Sequence, residues 1–599
     1  MQSCGSVEVA NGRGETHMKN VALRCAVVFL LAVLFFERGV HAQDSPTLIL
    51  GRPTDSAVTI NALAGPGEVV FEYREAMGDD ALRTPPALLT DGPVEAVLEG
   101  LRANTRYHYR VLYRAEGETE YRPSAEYTFH TQRAAGSPFT FTIQADSHQG
   151  LAPFHEPDLY RTMFQNARAD NPDFHIDLGD AFSLDGNNET QATVWQKYLN
   201  QREAFALIGH SAPVFLVLGN HENEEGWNLD DRPDVADSLP ILGVNARKRY
   251  FANPVPDGFY TGNGDASQLE IDGDHLKENY YAFEWGDALF VMIDPFWNTM
   301  VKPFAGSIGG EENDERVGDR WDWTLGEAQY EWLRATLENS TATFKFVFAH
   351  HLVGGTQDYS RGGAVGAAYC EWGGYDVDGV TWAFDSLRPK FVMPIHELLV
   401  ANGVTIFFHG HDHVFAMEEL DGVIYQECPH AANDDYGIGF ISNFGDYAGS
   451  QLVNNSGHLR VRVSPGETLV EYVRAFLPND GPNGDIAVAY SVYAPPPNEK
   501  PVALDDAVTI EAGESITVDV LGNDTDGDGD PLSIAGVSQP RHGITVNQGT
   551  DVYYEPFAGY CDLDEPDEFR YAVKDGRGGS RTATAQIAVF CAEDSVVVR

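Results

Sequence analysis

Apolar runs of strand length alternate with amphipathic segments through the middle of the chain. Apolar residues recur with helical spacing in residues 159–169 and 325–337. Between such segments lie five apolar runs that each lead into a polar residue, at residues 139–145, 173–178, 213–218, 344–348 and 404–409. Apolar strands separated by helices are typical of a layered α/β sheet that is buried on its faces.

The pattern changes on both sides of this central unit, which we place at residues 137–476. Residues 45–132 and 502–595 show short alternating segments with Gly and Pro punctuation about every ten residues, which predicts strands and turns. A proline-rich linker at residues 495–501 precedes the last unit. We therefore expect a multidomain protein with an all-β sandwich at each end.

The chain is strongly acidic. Its 90 Asp and Glu residues outnumber 40 Lys and Arg residues, so the formal net charge is -50. This charge argues against binding of nucleic acid or anionic lipid through the general surface. The composition favours a protein without specific nucleic-acid binding that stays soluble outside a cell.

Residues 1–42 have the pattern of an export signal with extra residues in front of it. From Met18 the chain shows two basic residues, an apolar core at residues 26–36 and a small-residue cleavage site near Ala42. The core is too short to span a bilayer stably, and a permanent N-terminal anchor is the alternative. We expect a mature chain without a membrane span that is secreted, periplasmic or bound at the cell surface.

Export makes the cysteines informative, because four thiols in an oxidising compartment predict two disulfides. The sequence permits three pairings of the four cysteines that follow the expected cleavage point. Domain boundaries favour Cys561 with Cys591 and, less strongly, Cys370 with Cys428. Two buried free thiols are the alternative for the second pair.

Residues of metal-ligand type follow the five apolar runs. In chain order they are Asp146-Ser147-His148, Gly179-Asp180, Gly219-Asn220-His221-Glu222, His350-His351 and Gly410-His411-Asp412-His413. In layered α/β folds the ligand site lies beyond the carboxyl ends of the strands. Because residues i and i+2 of a strand point the same way, Asp146 and His148 can bind one ion. The side chain of Asp180 is short enough to bridge two ions.

The order and types of these residues resemble the calcineurin-like metallophosphoesterase superfamily, whose motifs read D-x-H, GD, GNH(D/E), H and GHxH. The resemblance implies a central α/β four-layer sandwich, in which two β-sheets are flanked by helices. It also implies a hydrolase of small-molecule phosphoric esters, in which a metal-bound hydroxide attacks phosphorus in line. The expected cofactors are two divalent or trivalent ions, and iron, zinc or manganese suit the mixed ligands.

The motifs of the superfamily also imply a ligand set for each ion. The first ion takes Asp146, His148, Asp180 and His413, and the second takes Asp180, Asn220, His350 and His411. His351 is the alternative to His350. Two divalent ions outweigh two aspartates, so the site keeps a net charge of about +2 and attracts a phosphate dianion. Distant surface charges do not cancel this attraction, because salt screens them beyond roughly 8 Å.

In the same family the histidine that follows the ligand asparagine lies beside the leaving-group oxygen. This resemblance implies that His221 acts as the catalytic acid or holds a phosphate oxygen. Glu222 and Asp177 are both candidates to orient the imidazole, and the sequence does not choose between them.

The N-terminal unit brings a second resemblance and a departure from it. Residues 101–111 resemble a corner of fibronectin type III domains, and a similar sandwich precedes the catalytic domain of plant-type purple acid phosphatases. Those enzymes have a glycine where His148 stands and a ligand tyrosine where Ser183 stands. A tyrosinate–iron centre is therefore not expected, and the protein should be colourless.

An acidic segment in the last unit, residues 523–532, resembles a loop of bacterial cadherin-like and Ig-like modules. Its alternating carboxylates have no positively charged neighbours in the sequence, a pattern that favours calcium, and they belong to Asp524, Asp526, Asp528 and Asp530. A solvated acidic turn is the alternative.

The sequence does not identify the substrate, and it also allows a second class of function. Monoesters, diesters and nucleotides all fit the motifs, because substrate choice lies in loops, and the oligomeric state is not indicated. The competing hypothesis is a non-catalytic adhesion or binding protein of the cell surface, in which a phosphatase-like domain displays the β-sandwiches.

Overall fold

The computed structural model describes residues 45–591 with internal gaps. The gaps are residue 79 and residues 185–188, 265–270, 272–274, 303–318, 353–362, 439–446, 448–449, 455 and 562–564. The export signal expected at residues 1–42 lies outside the described residues and stays a prediction. Within the described ranges, no helix is long and apolar enough to cross a membrane.

The N-terminal unit is a β-sandwich. Its strands are β1 (Thr47–Gly51), β2 (Ala57–Leu63), β3 (Gly67–Glu75), β4 (Leu82–Arg83), β5 (Ala87–Leu89), β6 (Val94–Glu99), β7 (Arg106–Ala115), β8 (Arg122–Pro123) and β9 (Tyr127–His130). One sheet has the order β1-β2-β6, and the other has the order β4-β3-β7-β8, with β5 beside β3 and β9 beside β7. Alternate residues of β7 are buried, as the period of a strand requires, and they face the strands of the other sheet.

Two larger sheets form the central unit. The first contains β10 (Phe139–Gln144), β11 (Phe174–Asp177), β12 (Val214–Leu216), β20 (Gly457–Ser464), β21 (Glu467–Arg474) and β22 (Ile486–Tyr493) in the order β12-β11-β10-β20-β21-β22. The second contains β13 (Thr261–Gly262), β14 (Tyr281–Trp285), β15 (Ala288–Met292), β16 (Phe344–Phe348), β17 (Ile406–His409), β18 (Ala416–Leu420) and β19 (Val423–Glu427) in the order β13-β14-β15-β16-β17-β19-β18. Strands β10, β11 and β12 are parallel, and so are β15, β16, β17 and β19.

Aromatic side chains join the two sheets face to face. Phe141 on β10 meets Phe290 on β15 edge to face, with 5.1 Å between ring centroids. Phe348 and Phe408, at the ends of β16 and β17, stack at the same spacing. These rings are fully buried, which explains why the strands read as continuous apolar runs rather than as alternating ones.

Helices cover the outer faces of both sheets. They are α1 (Pro157–Ala169), α2 (Gln191–Gly209), α3 (Leu239–Tyr250), α4 (Glu327–Asn339), α5 (Gly363–Gly366), α6 (Cys370–Gly373), α7 (Phe384–Leu387) and α8 (Ile395–Ala401), with 3-10 turns at Asn220–Glu222, Gly226–Asn228, Val235–Asp237 and Arg320–Asp322. Helices α1 to α3 pack on the first sheet, and α4, α6 and α8 pack on the second. The expected four-layer sandwich of two β-sheets flanked by helices is therefore confirmed.

The C-terminal unit is a second β-sandwich. Its strands are β23 (Asp506–Glu511), β24 (Ile516–Val518), β25 (Ser533–Val537), β26 (Gly543–Asn547), β27 (Val552–Pro556), β28 (Asp567–Lys574) and β29 (Ser580–Phe590). They form one sheet in the order β23-β29-β28-β25 and another in the order β24-β27-β26. The expected disulfide between Cys561 and Cys591 is present and ties the end of β29 to the segment before β28.

The C-terminal unit is docked against the central unit rather than tethered to it. Arg570 on β28 forms an ion pair with Glu331 on α4, and Ala572 enters the hydrophobic core beneath α8. Ser580 Oγ donates a hydrogen bond of 3.0 Å to Asn402 Oδ1, just after α8. In the linker, Lys500 donates to the carbonyl oxygens of the last turn of α4.

The structure differs from two expectations. Strand β22 pairs with β21 along its length, so the first sheet continues past residue 476, where the sequence placed the end of the central unit. The expected bridge between Cys370 and Cys428 is wrong, because both residues are buried free thiols. Cys370 packs in the core outside the second sheet and Cys428 in the core between the two sheets, so the second sheet separates them.

Arg202 on α2 joins the N-terminal sandwich to the central unit. Its side chain is fully buried, and its guanidinium donates to the carbonyl oxygens of Asn61 at 2.7 Å, Thr47 at 3.2 Å and Tyr250 at 2.6 Å. This one buried side chain therefore forms three hydrogen bonds that link the N-terminal sandwich to helices α2 and α3.

We predict that Arg202→Met lowers the free energy of unfolding by about 3 kcal/mol, because three buried hydrogen bonds from the guanidinium are lost. Calorimetric melting should show the loss as a lower Tm. Arg161→Met is the matched control: this arginine is exposed on α1, and among the described residues it forms an ion pair only with Asp158, so its loss should cost less than about 0.5 kcal/mol. Equal melting temperatures for both variants would contradict the bridging role of Arg202.

Candidate metal centre

The candidate ligands lie together where the carboxyl ends of parallel strands from both sheets meet. Asp146 follows β10, Asp180 follows β11 and the turn Asn220–Glu222 follows β12. His350 follows β16, and His411 and His413 follow β17. Each sheet therefore supplies ligands to the same edge of the sandwich, as expected for a ligand site in a layered α/β fold.

The backbone at these residues is held in an unusual conformation. A positive φ, which side-chain-bearing residues rarely adopt, occurs at Asp146 (57°), His148 (42°), Asp180 (53°), His411 (84°) and His413 (58°). Such strain persists only where the surroundings impose it, and it clusters at functional sites. Backbone hydrogen bonds supply the restraint here: Asp146 donates to the Gly179 carbonyl, and His148 donates to the Asp180 carbonyl.

Glycines in the motifs let these loops approach one another closely. A Cβ on Gly219 would strike the side chain and backbone nitrogen of Asp180. A Cβ on Gly410 would lie 2.8 Å from Asp146 Oδ2. The glycines are therefore required by the space that the carboxylates occupy.

Asp180 is central to the cluster. One of its oxygens, Oδ2, lies 3.1 Å from His350 Nε2, 3.9 Å from His411 Nδ1, 4.0 Å from His148 Nε2 and 3.8 Å from His221 Nε2. Its other oxygen accepts the backbone N–H of His221 at 2.9 Å. The carboxylate of Asp180 can therefore contact imidazoles on both of its sides.

Two pairs of imidazoles flank Asp180. His350 Nε2 and His411 Nδ1 are 3.0 Å apart, and His148 Nε2 and His413 Nε2 are 2.9 Å apart. The second pair lies beside Asp146, whose Oδ1 is 3.5 Å from His413 Nε2. Nitrogen atoms that converge on carboxylate oxygens in this way have the donor types that zinc, iron and manganese accept.

The tautomer of His350 suits metal binding. Its Nδ1 lies 2.8 Å from the Leu178 carbonyl oxygen, and since a carbonyl only accepts, Nδ1 donates. In the neutral ring Nε2 then offers a lone pair to the site. His148 adds a buried Nδ1 that has no hydrogen-bond partner within the described part of the chain. The tautomer of His350 therefore fits a residue that holds a cation.

The electrostatics of the cluster depend on Asp180. Burial raises the pKa of this carboxyl, but the facing His350 and His221 outweigh burial and hold it well below its usual range. Burial lowers the pKa of His350, but Asp180 raises it to about 9. Burial, helped by His413, lowers the pKa of His148 to about 3. The Asp180 carboxylate and the neutral imidazole of His148 can therefore bind a cation directly. His350 can bind it once the cation displaces the proton of its ring.

Glu222 has a role that the sequence did not reveal. Its carboxylate accepts backbone N–H bonds from Gly219 at 2.8 Å, Asp180 at 3.0 Å and Ala181 at 2.8 Å. It therefore holds two motif loops together, which differs from the expected role of orienting His221. Asp177, the other residue considered for that role, instead accepts hydrogen bonds from Gln144 and Gln201.

The histidines next to the ligands occupy different positions. His351 packs against Trp323 and Phe296, and His409 lies 2.5 Å from Glu427 in the buried layer beneath the site. His430 is closer to the chemistry, because one of its ring nitrogens lies within 4.8 Å of those of His148 and His413. Its proximity has no motif signal, since it follows β19 outside the five motifs.

Comparison with known protein families agrees with this geometry. The model of the calcineurin-like phosphoesterase family matches residues 139–415, a range that holds all the candidate ligands.

Residues 139–415 form a calcineurin-like phosphoesterase domain.

The solved structure of PhoD shares the fold. PhoD is 16% identical, with a TM-score of 0.50 and coverage of 76% of this chain and 92% of that chain. A purple acid phosphatase from yellow lupin (Lupinus luteus) seeds is also 16% identical, with a TM-score of 0.49. The match covers 76% of this chain and 75% of that chain. A search of curated protein sequences finds no match.

The family gives the general class of reaction. The calcineurin-like phosphoesterase domain makes the protein a metal-dependent hydrolase of phosphoric esters. A bacterial Ig domain matches residues 498–588, which contain the C-terminal sandwich.

The acidic loop of this Ig domain corrects one expectation. The structure brings Asp526, Asp528 and Asp530 within 4.8 Å of one another, and Asp524 instead accepts the backbone N–H of Leu504. The loop does have a positively charged neighbour, because Arg577 contacts Asp530 at 2.9 Å and lies 4.0 Å from Asp528. The guanidinium offsets part of the negative charge of the loop, and calcium binding stays a prediction.

We predict that Gly219→Ala lowers kcat/KM for phosphoester hydrolysis by about a hundredfold, because the new Cβ displaces Asp180 from its position. The measurement is steady-state kinetics with metal analysis of the same samples. Gly466→Ala is the matched control, since in the described part of the chain no atom beyond its two sequence neighbours lies within 4 Å of its added Cβ. Unchanged kinetics in Gly219→Ala would show that the close approach does not matter.

Proposed function

We propose that the protein is a secreted phosphoric ester hydrolase with two metal ions, which acts on small-molecule phosphoesters. The observation that carries this proposal is the pair of imidazole clusters on either side of Asp180. One cluster contains His148 and His413, and the other contains His350 and His411. A single carboxylate between two sets of nitrogen donors suits two ions better than one.

The proposed ligand sets divide the cluster at Asp180. Asp146, His148 and His413 hold the first ion with Asp180, and Asn220, His350 and His411 hold the second with it. When bound, two such ions supply positive charge at the phosphate and an acidified water as nucleophile. The chain contributes rigid positions, since every one of these side chains is buried except that of His413, which is about one fifth exposed.

His221 is proposed as the proton donor to the leaving group. Its backbone N–H is fixed by Asp180, while its side chain is one fifth exposed and meets the His148 ring edge to face at 5.0 Å. The imidazole therefore faces both the metal cluster and the solvent-accessible side of the site. An imidazole in such a position can protonate a departing alkoxide.

Secretion is supported by the chemistry of the Ig domain. The disulfide between Cys561 and Cys591 indicates an oxidising compartment, because disulfides are rare where thiols are kept reduced. The net charge of -50 is consistent with a protein that stays soluble outside a cell.

We predict that chelation abolishes hydrolysis of p-nitrophenyl phosphate or its bis ester, and that added metal restores it. Asp180→Asn should lower kcat/KM by at least about a thousandfold, because it removes the negative charge proposed to be shared by two ions. Asp378→Asn is the matched control, since this exposed aspartate caps a turn away from the site. Metal analysis should find two ions per wild-type chain.

Failure with every phosphoester, across pH and several metals, would reject the proposal and support the non-catalytic binding protein. A single tightly bound ion with full activity would reject only the dinuclear part.

We predict that His221→Ala slows hydrolysis of alkyl phosphoesters about a hundredfold more than that of aryl esters with good leaving groups, because only the alkoxide needs a proton. The measurement is the slope of log kcat against leaving-group pKa, obtained with a series of esters. His108→Ala, on the N-terminal sandwich, is the control. Equal losses on all esters would exclude the acid role.

A further inference from the structure

Phe154 is an aromatic residue at the protein surface beside the proposed metal centre. It lies in the segment of residues 149–156, which follows Asp146-Ser147-His148 and precedes α1. Phe154 is 39% exposed, and Leu151 in the same segment is 37% exposed. Removal of apolar surface from water is favourable, so the exposed part of these side chains would bind an apolar group of another molecule.

The segment that carries Phe154 is held in place by backbone hydrogen bonds. At its start, the N–H of Leu151 donates to the His148 carbonyl at 3.0 Å. The N–H of Phe154 donates to the Leu151 carbonyl at 2.9 Å, which closes a turn. At the end of the segment, the N–H of Glu156 donates to the Ala432 carbonyl at 2.9 Å. The position of Phe154 relative to the metal centre is therefore defined by the backbone.

The ring of Phe154 contacts two proposed ligands of the first ion. Its centroid is 6.2 Å from that of His148 and 6.4 Å from that of His413, both within the range of aromatic pairs. His148 is buried, whereas the side chain of His413 is about one fifth exposed. Phe154 therefore lies where the part of the centre that holds the first ion meets the surface.

Two imidazoles mark the side from which a substrate reaches the centre. Among the proposed ligands and His221, the side chains of His413 and His221 are each about one fifth exposed, and the others are buried. Both meet the ring of His148, with 4.8 Å and 5.0 Å between centroids. The ring of His148 thus has His413, His221 and Phe154 around it. An ester whose phosphate group lies at the ions therefore extends its organic group toward the surface where Phe154 lies.

We propose that Phe154, together with Leu151, binds the organic group of the ester, and that the enzyme prefers phosphoesters whose organic group is apolar, above all an aromatic ring. This inference rests on the proposed function, because it places the phosphate group at the two ions. An aromatic ring pairs favourably with the ring of Phe154. The hydroxyl groups of a sugar or glycerol ester would lose water against these side chains without gaining a hydrogen bond, so such esters fit less well.

Two phosphonates separate the contact with the organic group from the binding of the phosphate group. Benzylphosphonate is phenyl phosphate with a CH₂ group in place of the ester oxygen, so it is not hydrolysed, and methylphosphonate lacks the ring. The dissociation constants of both for the metal-loaded chain are measured by calorimetry, together with the metal content of each sample.

Three variants change the side chain of Phe154 in different ways. Phe154→Ala removes the ring, Phe154→Gln replaces it with a polar side chain, and Phe154→Leu keeps an apolar side chain. Phe557→Ala is the matched control, because this phenylalanine of the Ig domain is 52% exposed. A variant that does not fold leaves the comparison to the other two.

In the wild-type chain, benzylphosphonate should bind about thirtyfold more tightly than methylphosphonate, because apolar side chains cover its ring. Phe154→Ala and Phe154→Gln should reduce this ratio about tenfold and leave the metal content and the dissociation constant of methylphosphonate unchanged. Phe154→Leu should keep most of the ratio, and Phe557→Ala should keep all of it. With phenyl phosphate as substrate, Phe154→Ala should raise KM and change kcat less than about twofold, because the contact is equal in the ground state and the transition state.

Two results would overturn the inference. Equal affinity of the wild-type chain for both phosphonates, or a ratio that Phe154→Ala and Phe154→Gln leave unchanged, would show that Phe154 does not bind the organic group. Equal weakening of both phosphonates with loss of metal would show instead that Phe154 only holds His148 and His413 in place. If the wild-type chain binds neither metal nor phosphonate and hydrolyses no ester, the proposed function fails as well, so the two failures are distinguishable.

Discussion

The site depends on the packing of two sheets with their carboxyl edges aligned. Neither sheet holds enough ligands alone, since the first contributes the aspartates, Asn220 and His148, and the second contributes the remaining histidines. The buried aromatic layer fixes the separation of the sheets, and Phe348 and Phe408, which stack on each other, come two residues before His350 and Gly410 in the sequence. Interiors are close-packed, so this layer transmits little movement and keeps the donors within reach of one another.

That constraint explains why the ligand loops are strained. Side chains from two sheets can converge on Asp180 only if the backbone turns sharply at each strand end, and five candidate ligands adopt a positive φ to do so. Glu222 stabilises the turns by accepting three backbone N–H groups that would otherwise be buried without an acceptor. The free energy stored in these turns is offset by the rest of the fold, as is common at functional sites.

The sequence predicted what depends on local pattern. Apolar runs that end in Asp146 or His350 reveal both the strands and the edge where their ligands meet, because strand direction fixes that edge. What it did not predict depends on contacts between distant segments. Cys370 and Cys428 lie on opposite sides of a sheet, and His430 reaches His148 and His413 from outside the five motifs. Arg577 contacts the acidic loop from far along the chain, so this contact also could not be predicted from local sequence pattern.

The docking of the Ig domain bears on how this protein can be divided. Ser580 contacts Asn402, and the Asn402 carbonyl also accepts from Lys345 near the start of β16, so the Ig domain reaches the amino ends of both strands that deliver histidines. Ala572 belongs to the same hydrophobic core as α8. The Ig domain has a hydrophobic core of its own, so this contact joins two separately packed units. Exchanging the Ig domain for another module would require redesign of the surface beneath it.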